Sequence, residues 1–335
     1  MINVLVTGVG GPAGMAVVQS LKIAPERIRI IGADMNPLAP GFRISDESEI
    51  IPPCTSSTFI ESVLDVCKKF KVDVVIPTVD EEISVFSANL ELFKSRNFSI
   101  PIPSKWAVAL ARDKYLNSQF VNTGVLSPKT VLLGADTSLE NALSVVGLPC
   151  VLKRRIGRGG RGFAIIESIN DLRYWISKSR GEQQILQEKI DGDLLLVQAI
   201  AQDGKTFASI VHKRLETKTE GSGTAISAVT IQNDAAIHRL DILLRKLRWN
   251  GAVGVEFLLS NLDGELYMID VNPRICGQSH LSTLAGMNLA YGLVELGTNR
   301  DISITKNYEL GKAFVRVWRD EVFNYSELSQ LRELA

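Results

Sequence analysis

The run PCVLKRRIGRGGRGF (149–163) ends an apolar strand on Lys153 and follows it with Gly157, Gly159, Gly160 and Gly162. A loop this rich in glycine exposes backbone N–H groups that can wrap polyphosphate oxygens, and the lysine adds positive charge beside them. A plain hairpin with a basic tip is the alternative, but it rarely needs so many glycines. Further along, VGVEF carries Glu256 and YMIDVN carries Asp270 and Asn272. The turn expected at Leu262-Asp263-Gly264 makes the two strands antiparallel neighbours, so residues 256 and 270 lie nearly opposite each other. Asp270 and Asn272, two apart, point to one face. Three oxygen donors on an otherwise apolar face suit Mg2+ (or Mn2+), which takes few carboxylates and keeps substrate phosphates as its other ligands. The alternative, a solvated face, fits the apolar surroundings poorly, because buried acids need a cation. Arg274, directly after Pro273, stands where it can stabilise anionic charge near that ion.

Two weaker signals lie between and before these. ILQEKIDGD (185–193) is a strand leading into a glycine turn, whose backbone can meet an adenine edge while Glu188 and Asp193 take an amino group or ribose hydroxyls. Taken alone it is indistinguishable from an exposed strand end. Lys114 in ARDKY could contact phosphates, or simply be solvated on an exposed helix.

The chain opens on VLVTGVGGPAG (4–14), a strand and glycine turn that read like the dinucleotide turn of a dehydrogenase, with Asp34 where a ribose-binding acid would sit. Tyr174 and Lys178 even form a Y-x-x-x-K pair. However, the serine that chemistry requires is missing from 160–162, which read Gly-Arg-Gly, and 170–180 reads as a surface helix with Leu172, Trp175 and Ile176 inward. Any tight strand-to-helix turn favours glycine, so the motif is weak evidence of a cofactor.

These residues need a scaffold. The first hundred or so alternate continuously apolar strands with single helices, the pattern of a parallel sheet covered on both faces. After a helix expected over 104–126 the pattern becomes β-rich, with many hairpin spacings, a long amphipathic helix in DAAIHRLDILLRKLRW, the strand pair carrying the acids, and a helix in HLSTLAGMNLAYGLVELG. The expected class is therefore α/β followed by α+β. With 335 residues, 37 basic and 37 acidic, charge gives no reason to expect nucleic acid or an acidic membrane. No apolar run approaches the ~20 residues of a membrane span. The four scattered cysteines and three histidines form no metal motif. The expectation is a cytoplasmic protein without a secretion signal.

Taken in order, Lys114, the Lys153–Gly162 loop, Gln187–Asp193 and Glu256…Asp270-x-Asn272-Pro273-Arg274 resemble the motifs of the ATP-grasp superfamily, most nearly its carbamoyl-phosphate-synthase-like carboxylate–amine ligases. The resemblance implies an N-terminal pre-ATP-grasp domain (1–105) and a two-lobed ATP-grasp domain (106–300) with its lid at about 127–187. Residues 301–335 would be an extension of undefined structure. It implies ATP and Mg2+, a carboxylate activated as an acyl phosphate, an amine as acceptor, and release of ADP and phosphate. By the same resemblance Lys114, Lys153, Gly159 and Gly160 contact phosphates, and Gln187, Glu188, Lys189 and Ile190 form the adenine hinge. Glu256, Asp270 and Asn272 hold metal, while Arg274 and Arg214 stabilise the transferring group. The chain departs from the pattern at Arg154, where proline is usual, at Leu194, where a ribose-binding glutamate is usual (leaving Asp193 for that role), and at Asp270, where glutamate is commoner.

In the N-terminal domain the strand ends carry Gly11, Thr78, Asp80 and Glu81, and ligands of open parallel sheets bind at that edge. Asp80 and Glu81 could pair with a substrate amino group, or Thr78 or Asp80 could cap the next helix. His280 could line the same pocket or be structural. Small-molecule carboxylate and amine substrates are the expected partners, with a homodimer left open. A non-catalytic ATP-binding module and an NAD(P) oxidoreductase are the rival functions.

Overall fold

Parallel strands β1 (Ile2–Thr7), β2 (Ile28–Asp34), β3 (Glu47–Ile50) and β4 (Val74–Pro77) form the first sheet, in the order β3-β2-β1-β4. A computed structural model of the chain describes residues 1–335 apart from 121–123, 158, 180, 220–221, 318–319, 321, 323 and 325–335. The centre of β1, Val4-Leu5-Val6, is apolar because both its faces are covered. Val4 and Val6 pack with Val17, Val18 and Leu21 of the Pro12–Lys22 helix, while Leu5 packs with Phe59, Val63 and Leu64 of the Phe59–Phe70 helix.

The glycine turn after β1 is held by close approach. A Cβ on Gly14 would lie 2.4 Å from the carbonyl oxygen of Gly8 and 2.6 Å from Cα of Val9, both backbone atoms that cannot swing away. Gly14→Ala is therefore expected to destabilise the protein by about 1–3 kcal/mol, the usual penalty of overpacking, measurable by urea denaturation.

β5 (Thr130–Leu133), β6 (Cys150–Arg154), β7 (Ala164–Ile166) and β8 (Gln184–Glu188) form a small antiparallel sheet ordered β5-β8-β6-β7. β9 (Gly192–Gln202), β10 (Lys205–Thr219), β11 (Ser222–Ile231), β12 (Gly251–Ser260), β13 (Leu266–Asn272) and β14 (Ala313–Val315) form a larger one, ordered β13-β12-β9-β10-β11-β14. The Asp234–Leu247 helix lays Leu240, Leu243, Leu244 and Leu247 on one face, against Val197, Val211 and Val253. The opposite face offers Ile200, Ile210 and Ala252 to the cluster that also holds Val4 and Val17. The large sheet and the parallel sheet thus share one core, which fixes the first glycine turn relative to the acidic strands.

Several elements differ from expectation. The stretch 104–126 holds two helices, Lys105–Arg112 and Lys114–Ser118, because Asp113 between them is extended and its carboxylate accepts the N–H groups of Tyr115 and Leu116; residues 121–123 lie outside those described. The C-terminal apolar helix is likewise two, Ser279–Leu284 and Leu289–Gly297, parted near Gly286 at φ +99°. Trp175 is exposed and set edge-on to Tyr174, whereas Leu172 is buried. Thr78 and Asp80 do not cap the Asp80–Ala88 helix: Thr78 Oγ1 donates to the Thr7 carbonyl, and the N-cap is Val79.

Candidate active site

The turns that follow β1 and β4, strand β6 with its glycine loop, and the large sheet line a cavity of about 420 Å³. β12 and β13 pair with Glu256 opposite Asp270, as the turn at 262–264 requires, and a bulge follows between Glu256 and Phe257. Each acid meets a cation from another element. Lys114 Nζ lies 3.0 Å from Asp270 Oδ1 and also donates to the Gly157 carbonyl at 3.1 Å. Arg214 Nη2, from β10, lies 2.6 Å from Glu256 Oε1. Arg274 makes a two-pronged pair with Asp80, Nε to Oδ1 at 2.9 Å and Nη2 to Oδ2 at 3.0 Å, and Nη2 also donates to Asn272 Oδ1.

Lys114 is therefore no solvated surface lysine. Its helix start is clamped, since the Lys114 N–H donates to the Arg155 carbonyl and the Arg155 guanidinium reaches back to Asp113. Burial alone would lower its pKa, but Asp270, with Glu256 and Asp80 nearby, holds it above the ordinary lysine value. Lys153 behaves oppositely. Burial, reinforced by the charge on Lys114, pulls it down to about 8, and among the described residues its Nζ finds only the Gln187 side-chain oxygen, at 2.8 Å. Burial raises the Asp270 carboxyl, with Glu256 adding to the shift and Lys114 opposing it.

The glycine loop places Gly159, Gly160 and Gly162 at positive φ, where a side chain would be strained. Gly157, Gly159 and Gly160 line the cavity alongside Lys153.

The donor set for a cation is two carboxylates and an amide. Among the described residues no cluster of three His, Cys, Asp or Glu side chains is placed to hold a metal. Glu256 Oε2 and Asp270 Oδ2 have no hydrogen-bond partner among the described residues, while their companion oxygens pair with Arg214 and Lys114. Two free carboxylate oxygens on one wall, all hard donors, fit a Mg2+ that takes its remaining ligands from phosphates.

The cavity gathers Lys114, Lys153, Gly159, Gly160, Arg214, Glu256, Asp270, Asn272, Arg274 and Gly11. Its lining does not include Gln187, Glu188, Lys189, Ile190, Asp193, Glu81 or His280. Asp193 pairs with Lys213 at 2.6 Å, and Lys189 pairs with Asp191. His280 Nδ1 lies 3.3 Å from Ser20 Oγ, a contact that ties its helix to the N-terminal sheet domain. Asp80 gives both oxygens to Arg274 rather than standing open for an amino group.

Missed altogether in the sequence were Gln278, Gly277 and Arg316, which also line the cavity. Behind Gln278 sits a buried set: its Nε2 donates to His212 Nδ1 at 2.8 Å, and His212 Nε2 meets Ser282 Oγ at 3.2 Å. Burial, with help from Arg214, depresses His212 to about 3, so it is a neutral strut. The strand sequence SIVHKRL shows no sign of this role, because only the fold brings residues 212, 278 and 282 together.

The first glycine turn holds no dinucleotide acid. Asp34 Oδ2 accepts the Gly10 N–H at 2.7 Å and Oδ1 accepts that of Asn36 at 2.9 Å, so both oxygens are used in fastening the turn.

A parallel sheet domain joined to two antiparallel sheets with a cation-rich cleft between them is the architecture of a nucleotide-grasping enzyme class. Residues 111–278 match the family model described as an ATP-grasp domain, and residues 4–100 match that of a PylC-like N-terminal domain. The chain belongs to the ATP-grasp family. Similar proteins include a formate-dependent phosphoribosylglycinamide formyltransferase of Prochlorococcus marinus, 25% identical over 284 residues, spanning 81% of this chain and 71% of that protein. A carbamoyl-phosphate synthase of Methanobrevibacter smithii is 25% identical over 241 residues, spanning 68% and 65%. Among solved structures, the ADP complex of an N5-carboxyaminoimidazole ribonucleotide synthetase superposes with a TM-score of 0.73 at 16% identity, covering 92% of this chain and 79% of that one. The biotin carboxylase domain of a Hydrogenobacter thermophilus 2-oxoglutarate carboxylase, in complex with MgADP and bicarbonate, gives 0.71 at 16% identity, covering 93% and 73%.

Proposed function

We propose that the protein is an ATP-dependent ligase that activates a carboxylate as an acyl phosphate and couples it to an amine, releasing ADP and phosphate. The observation that carries this reading is the convergence of Lys114, Arg214 and Arg274 on Asp270, Glu256 and Asn272, opposite the Lys153 glycine loop, in one cavity.

A carboxylate oxygen of the substrate attacks the γ-phosphorus as the bond to the β–γ bridging oxygen breaks and ADP leaves. The amine then attacks the acyl carbon, phosphate departs with the bonding pair, and the nitrogen loses a proton. Positioning and charge stabilisation carry most of such chemistry. Lys153 and the N–H groups of the glycine loop hold the phosphates, and Lys114 meets them from the opposite wall. Arg274 and Arg214 face the charge that builds on the transferring phosphoryl group and on the acyl oxygen. Gln187–Ile190, at the end of β8, would take the adenine edge, and Asp193 the ribose. Glu256, Asp270 and Asn272 would hold Mg2+, which when bound neutralises phosphate charge. Lid, catalytic lobe and N-terminal domain correspond to the small, large and parallel sheets.

Hydroxylamine tests the acyl phosphate directly. With magnesium ATP and the right carboxylate it is expected to yield a hydroxamate together with stoichiometric ADP. Nucleotide binding without any ADP release across a broad carboxylate and amine panel would instead favour a binding module. A thermal shift with NAD(P) but not with magnesium ATP would defeat the nucleotide assignment.

A further inference from the structure

β14 brings an arginine to the cavity from beyond the matched ATP-grasp segment, which ends at residue 278. The strand pairs antiparallel with β11, Ser227 opposite Val315 and Val229 opposite Ala313, and the Arg316 N–H continues the ladder to the Ile226 carbonyl at 2.7 Å. Its guanidinium is pinned from two sides of the wall it lines. Nη2 donates to the Gly277 carbonyl at 3.0 Å and Nε to that of Ala225 at 3.3 Å. Gly277 in turn lies against Pro12 of the first glycine turn, where an added Cβ would come within 2.8 Å of the proline ring. Arg316 thus stands where the large sheet meets the N-terminal domain.

Its charge is the unusual feature. Lys114, Arg214 and Arg274 are each matched by a carboxylate, but Arg316 has no carboxylate partner among the described residues. Carbonyl oxygens hold it in place without neutralising it. Burial also pulls its pKa down, as expected for a cation short of counter-charge. Lys218, exposed on β10 and lining the same cavity, is a further cation without an ion-pair partner among the described residues, and unlike Lys153 it is not assigned to the nucleotide phosphates. An oriented, part-buried guanidinium with a spare N–H edge recognises an oxyanion by charge-assisted hydrogen bonds.

We infer that Arg316, assisted by Lys218, forms a subsite for a second anionic group, carboxylate or phosphate, on the substrate, so that the enzyme takes dianionic rather than simple monocarboxylate substrates. The inference rests on the ligase reading for the placement of the reacting carboxylate near Arg274.

The test is calorimetric titration of the whole protein saturated with magnesium AMPPNP, a non-hydrolysable ATP analogue that fills the γ-phosphate position. Succinate (two carboxylates), 2-phosphoglycolate (a carboxylate and a phosphate) and acetate (one carboxylate) serve as probes. At least one dianion is expected to bind about tenfold or more tightly than acetate, the worth of one charge-assisted contact. Arg316→Gln should remove that preference and leave AMPPNP affinity unchanged, and Arg316→Lys, which keeps charge but loses the fork, should retain part of it. Whichever dianion wins names the anionic group. Equal binding of all three probes, or a dianion preference that survives in Arg316→Gln, overturns the subsite. So does a matching loss of AMPPNP affinity in both variants, which would assign Arg316 to the nucleotide. Failure of AMPPNP to bind the unaltered protein would instead defeat the ligase reading itself.

Discussion

Replacing Lys153 with methionine is expected to lower turnover with magnesium ATP by on the order of 10²–10³, the effect of deleting one preorganised charge donor from such a site, while leaving the fold intact. The fold should survive because Lys153 is part-buried on the cavity wall and, among the described residues, makes one polar contact, with Gln187, whose own Nε2 is already anchored on Thr130. An ammonium held with so little compensation is costly to keep charged, which is why its pKa is drawn down to about 8. The stability cost is the trace of its function: phosphate oxygens would supply the missing counter-charge. The sign for pH follows. Below about 8 the amine carries its proton and attracts phosphate, and above it the charge is lost. The affinity for magnesium AMPPNP should therefore weaken as pH rises from about 7 to about 9, and the same titration in Lys153→Met should be flatter. Steep pH dependence persisting in the variant would shift the responsibility to another group.

How far the site could be seen in the chain depends on whether its parts are local. The glycine loop is local chemistry, because backbone that must take positive φ at Gly159, Gly160 and Gly162 leaves glycines in the sequence. The acid pair is nearly local, since one hairpin sets Glu256 against Asp270. The parallel domain was legible from β1, whose two buried faces leave no polar alternation to misread. By contrast, Lys114 looked like any surface lysine until its helix start was seen clamped on Arg155 and Asp113. Asp80 sits 194 positions from Arg274, and no spacing rule connects them. Arg316 was invisible for the same reason: its role comes from a three-residue strand adding to a sheet edge formed some eighty-five positions earlier.

Arg274→Ala is the substitution expected to hurt stability most within the site. Asp80 would keep its carboxylate in a part-buried position with its two-pronged partner gone, and breaking a buried pair from one side typically costs about 3–5 kcal/mol. The pair joins the strand end carrying the acids to the first turn of a helix in the N-terminal domain, so its loss should also loosen that junction. Asp80→Asn keeps the shape and is expected to cost less. A double-mutant cycle in urea, with both side chains replaced, should return a coupling of roughly 1–3 kcal/mol, well above that of exposed pairs. Activity separates the two roles open to Asp80. If it orients Arg274, Asp80→Asn lowers kcat, because the guanidinium is free to leave the position from which it meets the transferring phosphoryl group, and the KM for the amine changes little. If it binds the substrate's amino group, the KM for the amine rises, kcat at saturation holds, and the stability coupling to Arg274 is near zero. The bidentate distances, 2.9 and 3.0 Å, favour the first outcome, since both carboxylate oxygens are committed before any substrate arrives.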